Sequence, residues 1–295
     1  MFGDNHAHII MDGINYKKAV AIHRESPCES VVRQRLEAYR KAGITFVRDG
    51  GDSLGVSMLA RSIASEYGIR YLSPSFGIHR KGLYGAIVGH AFEDEDSMKE
   101  LIDRAAEDGA DFIKLMASGI LDFSVYGSLS PGPLPKREIS AFTAHAHSLG
   151  LAVMVHVNGD ETIRNCIEAG ADSIEHGFYM SEETLELFRG EDAPVWVPTV
   201  AVTDAILGTG EFDEENLSRI HSSQMKNIGR ALEIGANIAL GSDCGAYRLP
   251  HPIGVEREYA CFRQASEGVE DIDGIVLRGE AIIRERFGER KNIRK

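Results

Sequence analysis

A chain of 295 residues, 43% hydrophobic and 26% charged, has enough apolar material for a sizeable water-soluble core. Its net charge of −13 speaks against nucleic acid and anionic lipid as partners, because both attract clustered lysine and arginine. No apolar stretch approaches membrane-spanning length, no signal peptide is evident, and Cys28, Cys166, Cys244 and Cys261 form no Cys-x-x-Cys pair. A cytoplasmic protein without disulfides is therefore expected, with Cys244 read as a small apolar filler.

In chain order, short apolar runs predict eight strands. They are Phe2–Ile10, Ile44–Asp49, Arg70–Pro74, Asp111–Met116, Ala152–Val157, Ser173–His176, Val195–Thr199 and Ile238–Gly241. Amphipathic segments between them predict helices over Val31–Lys41, Val56–Tyr67, Ser97–Glu107, Lys136–Leu149, Glu161–Ala169, Glu182–Phe188 and Leu217–Ile234. Two more follow at Gly254–Ala265 and Ile272–Phe287. Several helices end in a glycine that enters the next strand, as in Leu149-Gly150-Leu151 and Ile234-Gly235-Ala236. The basic C-terminal run from Arg284 reads as a helix face followed by a short solvated tail.

Alternating strands and helices predict a parallel sheet with right-handed crossovers, and eight units predict an α/β fold closed as a (β/α)8 TIM barrel. One domain over 1–295 is expected, with a doubly wound open sheet as the alternative. No Gly-x-Gly-x-x-Gly follows the first strand, which weakens a dinucleotide-binding reading. Long loops are expected at Ser75 to Asp96, Ala117 to Pro135 and Val200 to Asn216, on the barrel face where function gathers.

Polar residues end these apolar runs. His6 and His8 project to one side of a strand, with α-carbons about 6–7 Å apart. Lys114 lies in Asp-Phe-Ile-Lys-Leu-Met, too apolar for a solvated ammonium; alone it is read equally well as snorkelling to the rim. Burial would favour its neutral amine, which can add carbon dioxide and become a carbamate. His156 and His176 alone would be core histidines, and Asp243 alone a helix N-cap. As a set, one candidate each from strands one, four, five, six and eight points to one shared metal centre. Such a centre supplies the partner that buried polar groups need.

At these residues the chain resembles the amidohydrolase superfamily of metal-dependent hydrolases. The likeness rests on His-x-His on strand one, a bridging lysine on strand four, histidines on strands five and six, and an aspartate on strand eight. The stretches Gly-Ile-Thr-Phe-Val-Arg-Asp-Gly-Gly, Phe-Ile-Lys-Leu-Met-Ala-Ser-Gly and Ser-Ile-Glu-His-Gly are similar to the imidazolonepropionase and prolidase-type branch. A barrel-only member is expected, since His6 leaves no room for the leading half of a β-sandwich.

The resemblance implies two divalent ions, with zinc expected. His6, His8, Asp243 and one oxygen of carbamylated Lys114 would hold the first; His156, His176 and the other oxygen would hold the second. A shared hydroxide would attack an amide, peptide-like or cyclic amide carbonyl, with Asp243 as general base and then acid. Arg80, Lys81, Tyr84, His90, Tyr126, Tyr247 and Arg248 lie on the expected rim loops as small-molecule substrate contacts. A cation among them could pair with a substrate carboxylate. The same centre would also suit lactones, esters or phosphoesters; a mononuclear deaminase and a non-catalytic binding barrel are further alternatives. A homo-oligomer covering the flank without a sandwich is open, and no residue pattern demands it.

Overall fold

Runs such as Val153-Met154-Val155-His156-Val157 are buried at every position, as parallel strands covered on both faces must be. The structure, a computed structural model, describes residues 2–288. Its strands are β1 (Asp4–Ala7), β2 (Phe46–Asp49), β3 (Arg70–Leu72), β4 (Gly77–Arg80), β5 (Gly89–Phe92) and β6 (Ile113–Met116). They continue with β7 (Ile120–Leu121), β8 (Leu129–Ser130), β9 (Val153–Val157), β10 (Ser173–His176) and β11 (Val195–Val197).

Two parallel ladders run β1-β2-β3 and β11-β10-β9-β6-β4-β5. Single backbone bonds join them into a cylinder. Asp111 N donates to Ser73 O at 2.9 Å, tying the foot of β6 to the end of β3. On the other side Trp196 N donates to Asn237 O at 2.8 Å and Ala239 N to Trp196 O at 3.0 Å, while Asn5 N donates to Leu240 O at 3.1 Å. Residues 238–240 are thus the eighth stave, although they form one isolated bridge, Trp196 to Ile238, rather than a ladder. The (β/α)8 barrel is the observed architecture, and no β-sandwich occurs among the described residues.

Three expectations need correction. The first strand is shorter than Phe2–Ile10. A register shift between Asp4 and Ala7 interrupts its pairing with β2, and His8 N turns to Cys244 O at 2.8 Å. The third stave is broken: Pro74 has no N–H to give, and Ser75 takes φ 66°, so the wall resumes two residues later as β4. The stretch expected as a long loop from Ser75 therefore carries β4 and β5, and the next long loop carries the antiparallel pair β7–β8.

Helices flank the wall where the periodicity predicts them, within a few residues. α1 (Tyr16–Ala21) was not expected; α2 (Glu29–Lys41), α3 (Val56–Ile63), α4 (Glu95–Glu107), α5 (Lys136–Ser148) and α6 (Asp160–Glu168) follow. Then come α7 (Glu182–Leu185), α8 (Ala201–Ile206), which breaks the stretch from Val200 to Asn216 expected as a loop, α9 (Glu214–Glu233), α10 (Ile253–Ala265) and α11 (Ile272–Gly288). Single 3-10 turns, Ala64–Tyr67 and Glu186–Phe188, finish two helices that the sequence reads as continuous. The basic tail beyond Gly288 lies outside the described residues. All four cysteines are free, and Cys244 is buried.

The base of the barrel is filled. Phe46, Phe112, Met154 and Val197 pack inside it against Ile283 and Phe287 of α11. The Phe112 and Phe287 rings meet edge to face at 5.3 Å.

Candidate metal centre

At the other end of the cylinder the stave ends bring ionisable groups together. His6 Nε2 and His8 Nε2 each stand 3.6 Å from Asp243 Oδ1. One ligand atom from each of the three residues fits within 4.8 Å of the others. The His6 ring lies 4.9 Å from that of His176, and His176 lies 4.5 Å from His156, centroid to centroid. Lys114 is fully buried, and its amine finds no hydrogen-bond partner among the described residues. The cavity of about 610 Å³ above the barrel is lined by all six groups.

Their neighbours fix which ring nitrogen is free. Glu175 Oε2 sits 2.6 Å from His6 Nδ1, so that nitrogen donates and Nε2 keeps its lone pair. His6 Nε2 is itself buried without a partner among the described residues. Gly119 O lies 3.3 Å from His156 Nε2; a carbonyl only accepts, so Nδ1 is left open. Thr199 Oγ1 lies 2.7 Å from His176 Nδ1, leaving Nε2.

Burial removes charge from most of this cluster. It pushes His8 and His156 down to about 3 and His6 and His176 well below the ordinary imidazole range, with Lys114 adding to each. All four are neutral donors at physiological pH. Burial also lowers Lys114 to about 8 and raises Asp243 to about 7, the latter resisted by Lys114 nearby. Neutral imidazoles, a carboxylate and an unpartnered amine form a nitrogen and oxygen donor set of the kind that suits zinc or a similar divalent ion. The residues present fit that group.

Backbone strain marks the same stave ends. His176, Thr199 and Asp243 hold φ of 68°, 50° and 56°, unusual for residues with side chains. Asp4 anchors the last of them: its carboxylate accepts from Ser242 N at 2.9 Å and Ser242 Oγ at 2.6 Å, next to Asp243.

The sequence reading overlooked Glu175 and Arg48. Arg48 Nη2 donates to Glu175 Oε1 at 2.8 Å and its Nε to Asn5 O at 2.8 Å, with Arg48 and Glu175 fully buried. The available signal was a charged residue inside an otherwise apolar strand, in Phe46-Val47-Arg48 and Ser173-Ile174-Glu175. It is the same signal that singled out Lys114.

The rim residues fare differently. Tyr84 and Tyr247 line the cavity, and the Tyr84 ring lies 4.9 Å from that of His156. Arg80, His90, Tyr126 and Arg248 are not in the cavity wall, which corrects the expectation of a rim cation poised for substrate. Arg80 pairs with Glu138 at 2.6 Å and Arg248 with Glu211 at 2.6 Å. Lys81 pairs with Glu93 at 2.5 Å. His90 packs on Phe76, and Tyr126 lies under the Arg219 guanidinium at 3.9 Å. The physical reason is competition: the chain supplies 45 carboxylates against 32 cations, and Arg80, Lys81 and Arg248 each have one as a partner.

Comparison with known proteins agrees with this geometry. The ochratoxinase of Aspergillus niger is 28% identical over 240 residues, which is 78% of this chain but 47% of that enzyme. The chain thus spans about half the length of the curated relative. Among solved structures, a Xaa-Pro dipeptidase with methionine bound in its active site superposes with a TM-score of 0.77. It is 20% identical, covering 97% of this chain and 75% of that one. The A. niger ochratoxinase structure gives 0.73 at 21% identity, covering 95% and 68%; these likenesses speak for the fold. The model of the amidohydrolase family matches residues 2–267, and the chain belongs to that family.

Proposed function

We propose that this barrel is the catalytic unit of a metal-dependent hydrolase that cleaves a carbon–nitrogen bond of an amide, peptide-like or cyclic amide substrate. The observation that carries the reading is the convergence of His6, His8 and Asp243 on one point beside a buried, unpartnered Lys114. His6, His8 and Asp243 would hold one ion, and His156 with His176 a second. Lys114 would stand between them as a carbamate: its neutral amine forms an N–C bond to carbon dioxide and releases one proton. Lowering of Lys114 to about 8 makes that neutral form accessible near physiological pH. Bound there, divalent ions lower the pKa of a water and polarise a carbonyl oxygen.

The rest is the work of the chain. Asp243, raised to about 7, is matched to accept a proton from water and return it to the departing nitrogen. Glu175 holds His6 in the tautomer that keeps Nε2 free, and Thr199 does the same for His176. Ester or lactone hydrolysis would use the same groups, and no observation favours it over the amide.

Replacing Lys114 with Ala tests the bridge. Metal content per chain should fall by about one equivalent and turnover by roughly a hundredfold or more, beyond what the loss of an outer partner costs. Unchanged metal content together with unchanged turnover would remove the carbamate from the proposal.

A further inference from the structure

The cavity above the six convergent groups differs from them in character. Ile14, Ile87, Ile120, Leu121, Phe123 and Val202 form much of its wall. Two further polar side chains of the wall, Asn158 and Thr199, are occupied. Asn158 Nδ2 donates to Gly119 O at 3.3 Å while its Oδ1 accepts from Phe178 N at 3.1 Å, and Thr199 Oγ1 is bonded to His176. Lys114 and the histidines apart, Lys17 is the cation in the wall, and it stands exposed on the short helix α1. Arg80, Lys81 and Arg248, which could have reached in, are each paired with a carboxylate. Ile14 (72% exposed), Ile120 (46%) and Tyr247 (49%) leave apolar surface in water where the cavity opens.

A carboxylate held against the apolar wall, away from Lys114 and the histidines, would shed its hydration without meeting a buried cation to replace it, and burying an unpaired charge is costly. A net charge of −13 adds long-range repulsion. An aryl or alkyl group gains from the same wall by leaving water.

We infer that the cavity takes an uncharged amide whose bulk is apolar, an N-aryl or long-chain N-acyl amide, and turns away N-acyl amino acids and dipeptides that carry a free carboxylate. The inference rests on the hydrolase reading above for its scissile bond, and on the cavity wall alone for its selectivity. It runs against pairing of a substrate carboxylate by Arg80 or Arg248, which Glu138 and Glu211 hold.

The test compares matched molecules on the metal-loaded protein. Hexanoyl and glutaryl para-nitroanilide share a scissile bond and differ in a terminal carboxylate. The neutral member should show kcat/KM at least about tenfold higher; equal or reversed values overturn the inference. Their reduced, uncleavable counterparts, N-hexyl-para-nitroaniline and para-nitroanilino-pentanoate, separate selectivity from chemistry when binding is followed by calorimetry. Tighter binding of the neutral amine by about tenfold supports the inference even if neither anilide turns over, in which case the hydrolase reading alone fails. Equal or tighter binding of the carboxylate overturns it, as does no binding of either. Phe123→Ala should weaken N-hexyl-para-nitroaniline about fivefold by removing buried apolar contact; an unchanged Kd places the ligand elsewhere and overturns the assignment.

Discussion

Glu175 serves His6 and Arg48 at once, and also accepts from Ser173 Oγ, which makes it the most informative single side chain outside the donor set. One oxygen orients His6 at 2.6 Å and the other, at 2.8 Å, compensates the buried Arg48 guanidinium. Replacing it with Ala should therefore do two separable things. Arg48 would be left charged and unpaired, costing about 3–5 kcal/mol of stability. His6 would lose its tautomer constraint, weakening metal binding by about 10–100-fold. Denaturant unfolding reads the first effect and a chelator competition reads the second. A stability change below about 1 kcal/mol would mean that Arg48 finds another partner. Glu175→Gln, which keeps an acceptor for Arg48, should recover part of the stability while metal binding stays weakened.

At the scale of elements, the sequence disclosed the order of strands and helices and the six convergent residues, because both follow from local patterns. Burial alternates with a period that reads directly, and a lone polar residue at the end of an apolar run stands out. What stayed hidden depends on contacts between distant segments. The break at Pro74-Ser75, the turn of His8 toward Cys244 and the absence of a ladder at residues 238–240 are set by neighbours across the barrel. The fate of Arg80 and Arg248 was equally illegible, since each is decided by a carboxylate 58 or 37 positions away. Gly50, just past β2, shows how closely an element end can govern the site: a Cβ there would sit 2.2 Å from His8 Cε1. Gly50→Ala should displace the His8 ring and weaken metal binding by about tenfold or more while the far-ultraviolet circular dichroism stays unchanged. Wild-type metal affinity in that variant would show that the ring is not held by this contact.

For the whole molecule, metal and fold would be linked, because five staves carry the six groups proposed as donors to one centre. A divalent ion at a hundredfold above its Kd should add about 2.7 kcal/mol of stability. That gain should depend on pH in a defined direction. The four histidines, with His8 and His156 near 3 and the others well below the ordinary range, are already neutral at pH 6 and contribute little to the change. Asp243, near 7, must shed a proton to take up the ion below that pH, and Lys114, near 8, must be neutral to become the carbamate. The difference in Tm between metal-loaded and chelated protein should thus be smaller at pH 6 than at pH 8. Equal differences would remove Asp243 from the donor set.

The packed base described above has a further consequence for traffic. With Phe46, Phe112 and Phe287 stopping the cylinder at one end, whatever enters must leave by the opening that admitted it. An acid and an amine made inside would queue behind one doorway edged with isoleucine and tyrosine, so the slower of the two to depart would set the pace of each cycle.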